Sequence, residues 1–284
     1  MENRKVWFVT GASKGLGLAL VKQLLSQNYA VAATSRTVDA LTRELGNTSE
    51  YFLPLEVDLV NEESVQNAIE ATITAFGKID VVVNNAGYGQ FGTLEEISDE
   101  IARKNFDTNV FGSLNVIRFA MPHLRKQRSG RIFNISSVGG FTGNFAGWGI
   151  YASTKFAVAG FTEALSAEIK SFGVSATVVY PGYFRTSFLT SDSFSVVPSN
   201  IAEYADAKAS QDAHQQQING NQPGDPQKAS EVLIKIAEDE NPPLHLFLGQ
   251  DAYDMAKIKI EAVESDLEKW EVLGTKTAFV VEEV

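Results

Sequence analysis

The segment VWFVTGASKGLG, residues Val6 to Gly17, decides the fold. Val6 to Thr10 is a short apolar run of β-forming residues, and Gly11, Gly15 and Gly17 follow it directly. The next stretch, LGLALVKQLLSQN, carries Leu16, Ala19, Leu20, Val21 and Leu24 at helical spacing. The order is therefore strand, glycine turn, helix. Glycine permits the tight turn and lets backbone N–H groups approach a pyrophosphate, while the helix N-terminus offers it a partial positive charge. A glycine-rich turn alone is weak, but the strand before it and the helix after it make Gly11, Ser13, Lys14, Gly15, Leu16 and Gly17 a candidate dinucleotide site.

The same alternation continues outward. A second strand is expected over Ala30 to Thr34, ending in Ser35 and Arg36. An acidic residue near this point would bind adenosine ribose hydroxyls and repel a 2′-phosphate. None is present; Ser35, Arg36 and Lys14 suit a phosphate dianion instead, which predicts NADP(H) over NAD(H). Further strands are expected over Tyr51 to Asp58, Ile79 to Val83, Arg131 to Ser136, Ser175 to Tyr180 and Leu244 to Leu248. Helices are expected over Glu62 to Phe76, Asp99 to Leu124 and Tyr151 to about Phe172. The near-continuous apolar run Ile79 to Val83 reads as a strand buried on both faces, hence a parallel sheet between helices. The predicted class is a single-domain α/β fold with a doubly wound parallel sheet of about seven strands.

In such sheets ligands bind beyond the carboxyl ends of the strands. The glycine turn, Asp58 and Leu59, NNAG (Asn84 to Gly87), Ser137 and PGYFRT (Pro181 to Thr186) all follow strand ends, so they converge on one edge. There the segment SVGGFTGNFAGWGIYASTK, Ser137 to Lys155, sets a serine fourteen residues before a tyrosine and that tyrosine four before a lysine. On a helix Tyr151 and Lys155 share a face one turn apart. The lysine cation is expected to lower the phenol pKa toward the working range of a general acid–base. Ser137, with Ser136 as the competing assignment, would hold the substrate oxygen. This equipment moves a proton on a carbonyl or alcohol but carries no hydride, so a cofactor must supply one.

At 284 residues and 44% hydrophobic composition, one large core can form. A net charge of -11 disfavours nucleic acid and anionic membranes as partners. The absence of cysteine excludes disulfides, thiolate metal sites and a cysteine nucleophile. His123, His214 and His245 lack metal-ligand spacing and are read as structural or surface residues, so no metal is expected. No signal-like or membrane-spanning run of about 18 apolar residues appears, and a cytoplasmic setting is expected.

With TGASKGLG, Asp58, NNAG, Asn109, Ser137, YASTK and PGYFRT in order, the chain resembles the short-chain dehydrogenase/reductase family, whose domain is a Rossmann fold. The resemblance implies Tyr151 as catalytic acid–base, Lys155 on the phenol and the nicotinamide ribose, Ser137 on the substrate oxygen, and Asn109 holding a water behind the lysine. It places Asp58 at the adenine, Asn85, Ala86 and Gly87 along the cofactor groove, and Pro181, Gly182 and Thr186 at the nicotinamide. It implies a carbonyl reductase acting on a small molecule, with 3-oxoacyl-carrier-protein reductase, a steroid- or retinoid-type hydroxy dehydrogenase and a non-catalytic cofactor sensor as alternatives. Residues 1–186 would form the cofactor and catalytic core, 187–230 a lid, and 250–284 a helical extension. Phe91, Phe141, Phe145, Trp148, Tyr183, Phe184 and Phe188 are expected to wall a hydrophobic substrate pocket. A homodimer through the helices of Asn109 and Tyr151 is expected by the same analogy, with a tetramer open.

Overall fold

A computed structural model describes residues 4–190 and 193–279. Residues 191 and 192 of the expected lid, the last five of the expected extension and the first three of the chain lie outside the described residues. In chain order the strands are β1 (Val6–Val9), β2 (Ala30–Ser35), β3 (Phe52–Glu56), β4 (Val81–Asn84), β5 (Gly89–Phe91), β6 (Gly130–Ile135), β7 (Val174–Pro181), β8 (Phe194–Val196) and β9 (His245–Leu248). The helices are α1 (Gly15–Ser26), α2 (Val38–Leu45), α3 (Glu62–Phe76), α4 (Asp99–Phe106), α5 (Gly112–Gln127), α6 (Gly149–Ile169), α7 (Ala205–Asp212), α8 (Pro226–Glu238) and α9 (Gln250–Gly274).

Seven strands form one parallel sheet in the order β3-β2-β1-β4-β6-β7-β9. The order reverses between β1 and β4, because the chain builds outward to β3 and then returns to the other side. Loops there have room to diverge, and a cleft opens at that point. Strand side chains alternate between two cores. Trp7, Val9, Val31, Ala33, Val81 and Val83 join Leu20, Leu24, Leu233 and Ile234 on one face. Phe8, Ala32 and Val82 join Ile69, Val116, Leu124 and Leu165 on the other. Both faces are covered, so both alternate positions are apolar. Each large side chain buried this way contributes roughly 1.5–3 kcal/mol.

Local chemistry ends the helices where the sequence has polar caps. The Asn61 side chain accepts from Ser64 N at 3.0 Å at the start of α3, and Gly77 closes that helix at φ 80°. Asn61→Ala is expected to cost about 1 kcal/mol of stability, read as a lower urea midpoint with an unchanged m-value. A wild-type midpoint in the variant would remove the cap from the account of α3.

Three features depart from the sequence reading. The helix expected over Asp99 to Leu124 is α4 and α5 joined by a π-helical segment, Asp107–Phe111, and it continues to Gln127 through Pro122. The helix of Tyr151 starts two residues earlier than expected, at Gly149, and ends at Ile169 before a 3₁₀ turn. The segment after Thr186 is not merely a polar loop: β8 pairs with β5 in a small parallel sheet, and α7 and the first turns of α8 follow. The segment after β9 forms α9, which touches the body only near its start, where Ala252 and Ala256 are buried. From Lys257 to Gly274 every residue is exposed, including the apolar positions Ile260, Val263, Leu267 and Trp270.

Candidate active site

A cleft of about 720 Å³ runs along the carboxyl edge of the sheet. One end is the glycine turn. Gly11 and Gly15 hold φ values of 63° and 61°, and an added Cβ at Gly11 would stand 2.7 Å from Ala86 Cα. A side chain at Gly11 is therefore excluded on both conformational and steric grounds. The turn is tied to the next loop: Thr10 Oγ1 accepts from Asn85 N at 3.0 Å and Ala86 N at 3.1 Å, while Asn85 Nδ2 donates to the Thr10 and Gly11 carbonyls, both at 3.0 Å. The first turn of α1 has no acidic residue, so its N–H groups face the cleft unopposed.

Most expected cofactor residues line this cleft: Gly11, Ser13, Lys14, Gly15 and Leu16; Ser35 and Arg36; Asp58 and Leu59; Asn85, Ala86 and Gly87; Pro181, Gly182 and Thr186. Gly17 does not. A Cβ there would meet Asn85 Nδ2 at 2.5 Å and the Gly11 carbonyl at 2.6 Å, so this glycine lets helix and loop pack together. A glycine turn free of acid, a helix N-terminus and a basic far end fit a dinucleotide phosphate.

At the other end Tyr151 and Lys155 line the wall, both on α6. The Ser137 hydroxyl hydrogen-bonds the Tyr151 phenol. Ser136 instead donates to the Lys155 carbonyl at 2.7 Å and is 3% exposed, so it holds α6 to the strand end. Lys155 Nζ donates to the Ile135 carbonyl at 2.8 Å and lies 5.8 Å from the Tyr151 ring centre. Burial pushes the Tyr151 phenol up to about 12, opposed by the Ser137 hydrogen bond, and holds the Lys155 ammonium down at about 8. The net shift of the phenol is upward, where a neighbouring lysine was expected to lower it, and desolvation of the phenolate is its largest cause.

Asn109 stands one layer behind the cleft, at the π segment. Its Nδ2 donates to the Tyr88 carbonyl and Thr154 Oγ1, both at 3.0 Å, and its Oδ1 accepts from Tyr88 N at 3.0 Å. A Cβ on Gly87 would stand 3.0 Å from Asn109 Oδ1 and 3.5 Å from Lys155 Nζ, so the asparagine and the lysine approach each other at that glycine.

Of the expected aromatic wall, Phe145, Trp148, Tyr183, Phe184 and Phe188 line the cleft. Phe91 and Phe141 do not. Phe91 is 1% exposed and backs Trp148 from behind, edge-on at 5.5 Å. Phe141 follows the 3₁₀ turn Val138–Gly140, which carries it away to pack on Phe247 at 5.1 Å and Tyr180 at 5.6 Å.

His214, read from the sequence as structural or surface, lines the cleft and is 7% exposed. Its Nε2 lies 3.0 Å from the Tyr183 hydroxyl and its ring 4.8 Å from that of Trp148. Gln222 lines the same cleft. Neither has a local signal for its place in the cleft, since the Tyr183 partner of His214 and the Arg185 partner of Gln222 each lie more than thirty residues away in the chain. Among the described residues no group of three His, Cys, Asp or Glu is placed to hold a metal ion, and no helix is long and apolar enough to cross a membrane.

A family model described as short chain dehydrogenase matches residues 5–194. Oxidoreductase BOA17 of Botryotinia fuckeliana (strain B05.10) is 34% identical over 275 residues, 96% of this chain and 99% of that protein. The 3-ketodihydrosphingosine reductase of Bacteroides thetaiotaomicron is 34% identical over 247 residues, 86% of this chain and 88% of that protein. The crystal structure of a short-chain dehydrogenase from Streptomyces avermitilis superposes with a TM-score of 0.90 at 32% identity, covering 98% of this chain and all of that one. Other solved structures that share the fold are described as complexes with NAD or NADP.

Proposed function

The chain belongs to the short-chain dehydrogenase/reductase family of oxidoreductases, and from that membership and the shape of the cleft we propose that it is an NADPH-dependent reductase of a hydrophobic ketone or aldehyde. The observation that carries the proposal is the meeting of Ser137 and Tyr151 hydroxyls beside Lys155, in the same cleft as the glycine turn. When bound, the nicotinamide supplies the hydride. This chain's residues do the rest. Backbone N–H groups of Gly11 to Leu16 would hold the pyrophosphate, Arg36 with Ser35 and Lys14 the 2′-phosphate, and Asp58 the adenine. Lys155 would hold the nicotinamide ribose, with Asn109 supporting it from behind. Ser137 would donate to the substrate oxygen, and Tyr151 would deliver its proton there as negative charge develops.

An intact tyrosine and lysine at the cleft support catalysis over a cofactor sensor. A homodimer through the helices of Asn109 and Tyr151 is part of the reading, supported by the exposed rings of Phe111, 52% exposed, and Phe156, 43%. The test follows NADPH absorbance with aryl ketones, 3-oxo esters, steroids and aldehydes, and repeats it with NADH. Turnover of ketones with NADPH favoured is expected; cofactor binding with no turnover of any of them would return the sensor reading to first place.

The two titrating groups set a pH dependence. Burial keeps the Tyr151 proton on at neutral pH, so reduction has its donor, while alcohol oxidation needs the phenolate and gains as pH rises. Lys155, held down at about 8, loses its charge in the mildly alkaline range and with it part of the electrostatic support for reduction. Below about pH 8 kcat/KM for oxidation is expected to climb with the phenolate fraction while that for reduction stays level; above it, loss of the Lys155 charge flattens the first and lowers the second. A kcat/KM for oxidation that does not change with pH below about 8 would remove Tyr151 as the group that must lose its proton.

A further inference from the structure

Tyr183 is fixed from three sides. Its backbone N–H donates to Asp251 Oδ2 at 2.6 Å, its carbonyl accepts from Gly224 N at 2.9 Å, and its hydroxyl lies 3.0 Å from His214 Nε2. The histidine settles which way that last bond runs. His214 Nδ1 is 2.7 Å from the Ser210 carbonyl oxygen. A carbonyl only accepts, so Nδ1 carries the ring proton, and in a neutral imidazole Nε2 is then the acceptor. Burial depresses the basicity of His214 and keeps it neutral. The phenolic proton of Tyr183 is therefore committed to His214. What Tyr183 turns to the cleft is an oxygen that can accept and has no proton to give.

A second acceptor comes from a distant stretch of the chain. Gln222 is 3% exposed, lines the cleft, and its Oε1 has no hydrogen-bond partner among the described residues. Its backbone carbonyl takes Arg185 Nε at 3.1 Å, which brings its segment against the Tyr183 loop. Trp148, which stacks near His214, has an indole N–H likewise without a partner among the described residues. Buried acceptors left unpaired cost free energy, so a ligand that supplies donors to them is favoured. A hydroxyl donates its one proton to one of the two acceptors and can accept from the indole N–H, so it pairs one acceptor and the donor together. An ether or a plain hydrocarbon leaves the acceptors unpaired.

We propose that the Tyr183–His214 pair and Gln222 form a hydroxyl-recognition subsite, and that the substrate is a hydroxy-ketone or hydroxy-aldehyde whose hydroxyl lies several bonds from the carbonyl that meets Tyr151. This rests on the reductase reading for the carbonyl end, but the subsite itself is a binding claim and is tested by binding.

The probes are benzylacetone and acetophenone, each beside its para-hydroxy and para-methoxy derivative. Dissociation constants are measured by calorimetry on the protein saturated with the oxidised nicotinamide dinucleotide it binds more tightly, so no turnover intervenes. On at least one scaffold the hydroxy compound is expected to bind on the order of tenfold more tightly than either relative, the ratio a single buried hydrogen bond gives. Tyr183→Phe should bring that ratio to near one. His214→Leu frees the phenol proton to donate, and should turn the preference toward the methoxy compound. Unchanged cofactor affinity in both variants reports an intact fold. Ratios near one on both scaffolds in the wild type, or a hydroxyl preference that survives Tyr183→Phe, overturn the subsite. Reduction of these ketones without discrimination leaves the reductase reading standing and the subsite rejected; discrimination in binding with no reduction of any carbonyl does the reverse.

Discussion

Tyr151→Phe is expected to lower kcat for ketone reduction by about 10²- to 10⁴-fold while leaving the cofactor dissociation constant unchanged, which corresponds to roughly 3–5 kcal/mol of lost transition-state stabilisation. The reason is specific to this cleft. The phenol is partly buried against Trp148, 5.5 Å away between ring centres, and Phe188, 5.9 Å away, so a substrate seated in the cleft excludes bulk water from its proton. Phenylalanine keeps that packing and removes only the hydroxyl. Loss of the Ser137 hydrogen bond leaves one serine proton free to reach the substrate oxygen, which is why some activity should survive. Single-turnover kinetics with enzyme in excess separate this from slow product release. A variant within a factor of about three of the wild type would mean that another group, or water, delivers the proton.

The sequence was most legible where a pattern is local. The strand, glycine turn and helix from Val6 to Ser26 lie within one unit, and their apolar spacing and glycines state the structure directly. Strand edges were less so: the third strand was expected over Tyr51 to Asp58 and covers Phe52–Glu56, because Asp58 accepts from Val60 N and turns the chain out of the sheet. The π segment around Asn109 has no sequence signature, since one extra residue in a helical turn barely disturbs apolar periodicity. Its supports are distant, at Tyr88 and Thr154. Aromatic content near a site likewise does not say which way a ring points. Phe145 and Phe141 sit four positions apart in one glycine-rich loop, yet one lines the cleft and the other packs outside it. Composition and spacing located the edge of the sheet where the chemistry collects; the Tyr183–His214 contact, made across thirty-one residues, exists only once the chain is folded.

Arg36→Asp tests the other end of the cleft. Arg36 follows the last residue of β2 and lines the cleft with Ser35, Lys14 and Asp58. Asp58 does not cancel it, because the Asp58 carboxylate accepts from Val60 N at 3.0 Å and is engaged in its own loop. A charge-assisted hydrogen bond from a guanidinium to a phosphate is worth about 1.5–3 kcal/mol, or roughly 10- to 100-fold in affinity. Replacing it with a carboxylate adds repulsion to that loss. NADPH is therefore expected to bind about 100-fold more weakly to Arg36→Asp, while NADH, whose free 2′-hydroxyl can donate to the new carboxylate, binds as well as before or better. Because Arg36 is exposed, the NADPH penalty should shrink as salt is raised through the range where the Debye length falls below about 10 Å. Fluorescence titration of both cofactors at two ionic strengths reads all of this. Arg36→Lys, which keeps the charge but not the fork, should fall between the two. Equal weakening of NADPH and NADH by Arg36→Asp would show that Arg36 contacts no 2′-phosphate, and the preference for NADPH would then have no residue in this cleft to rest on except Ser35 and Lys14.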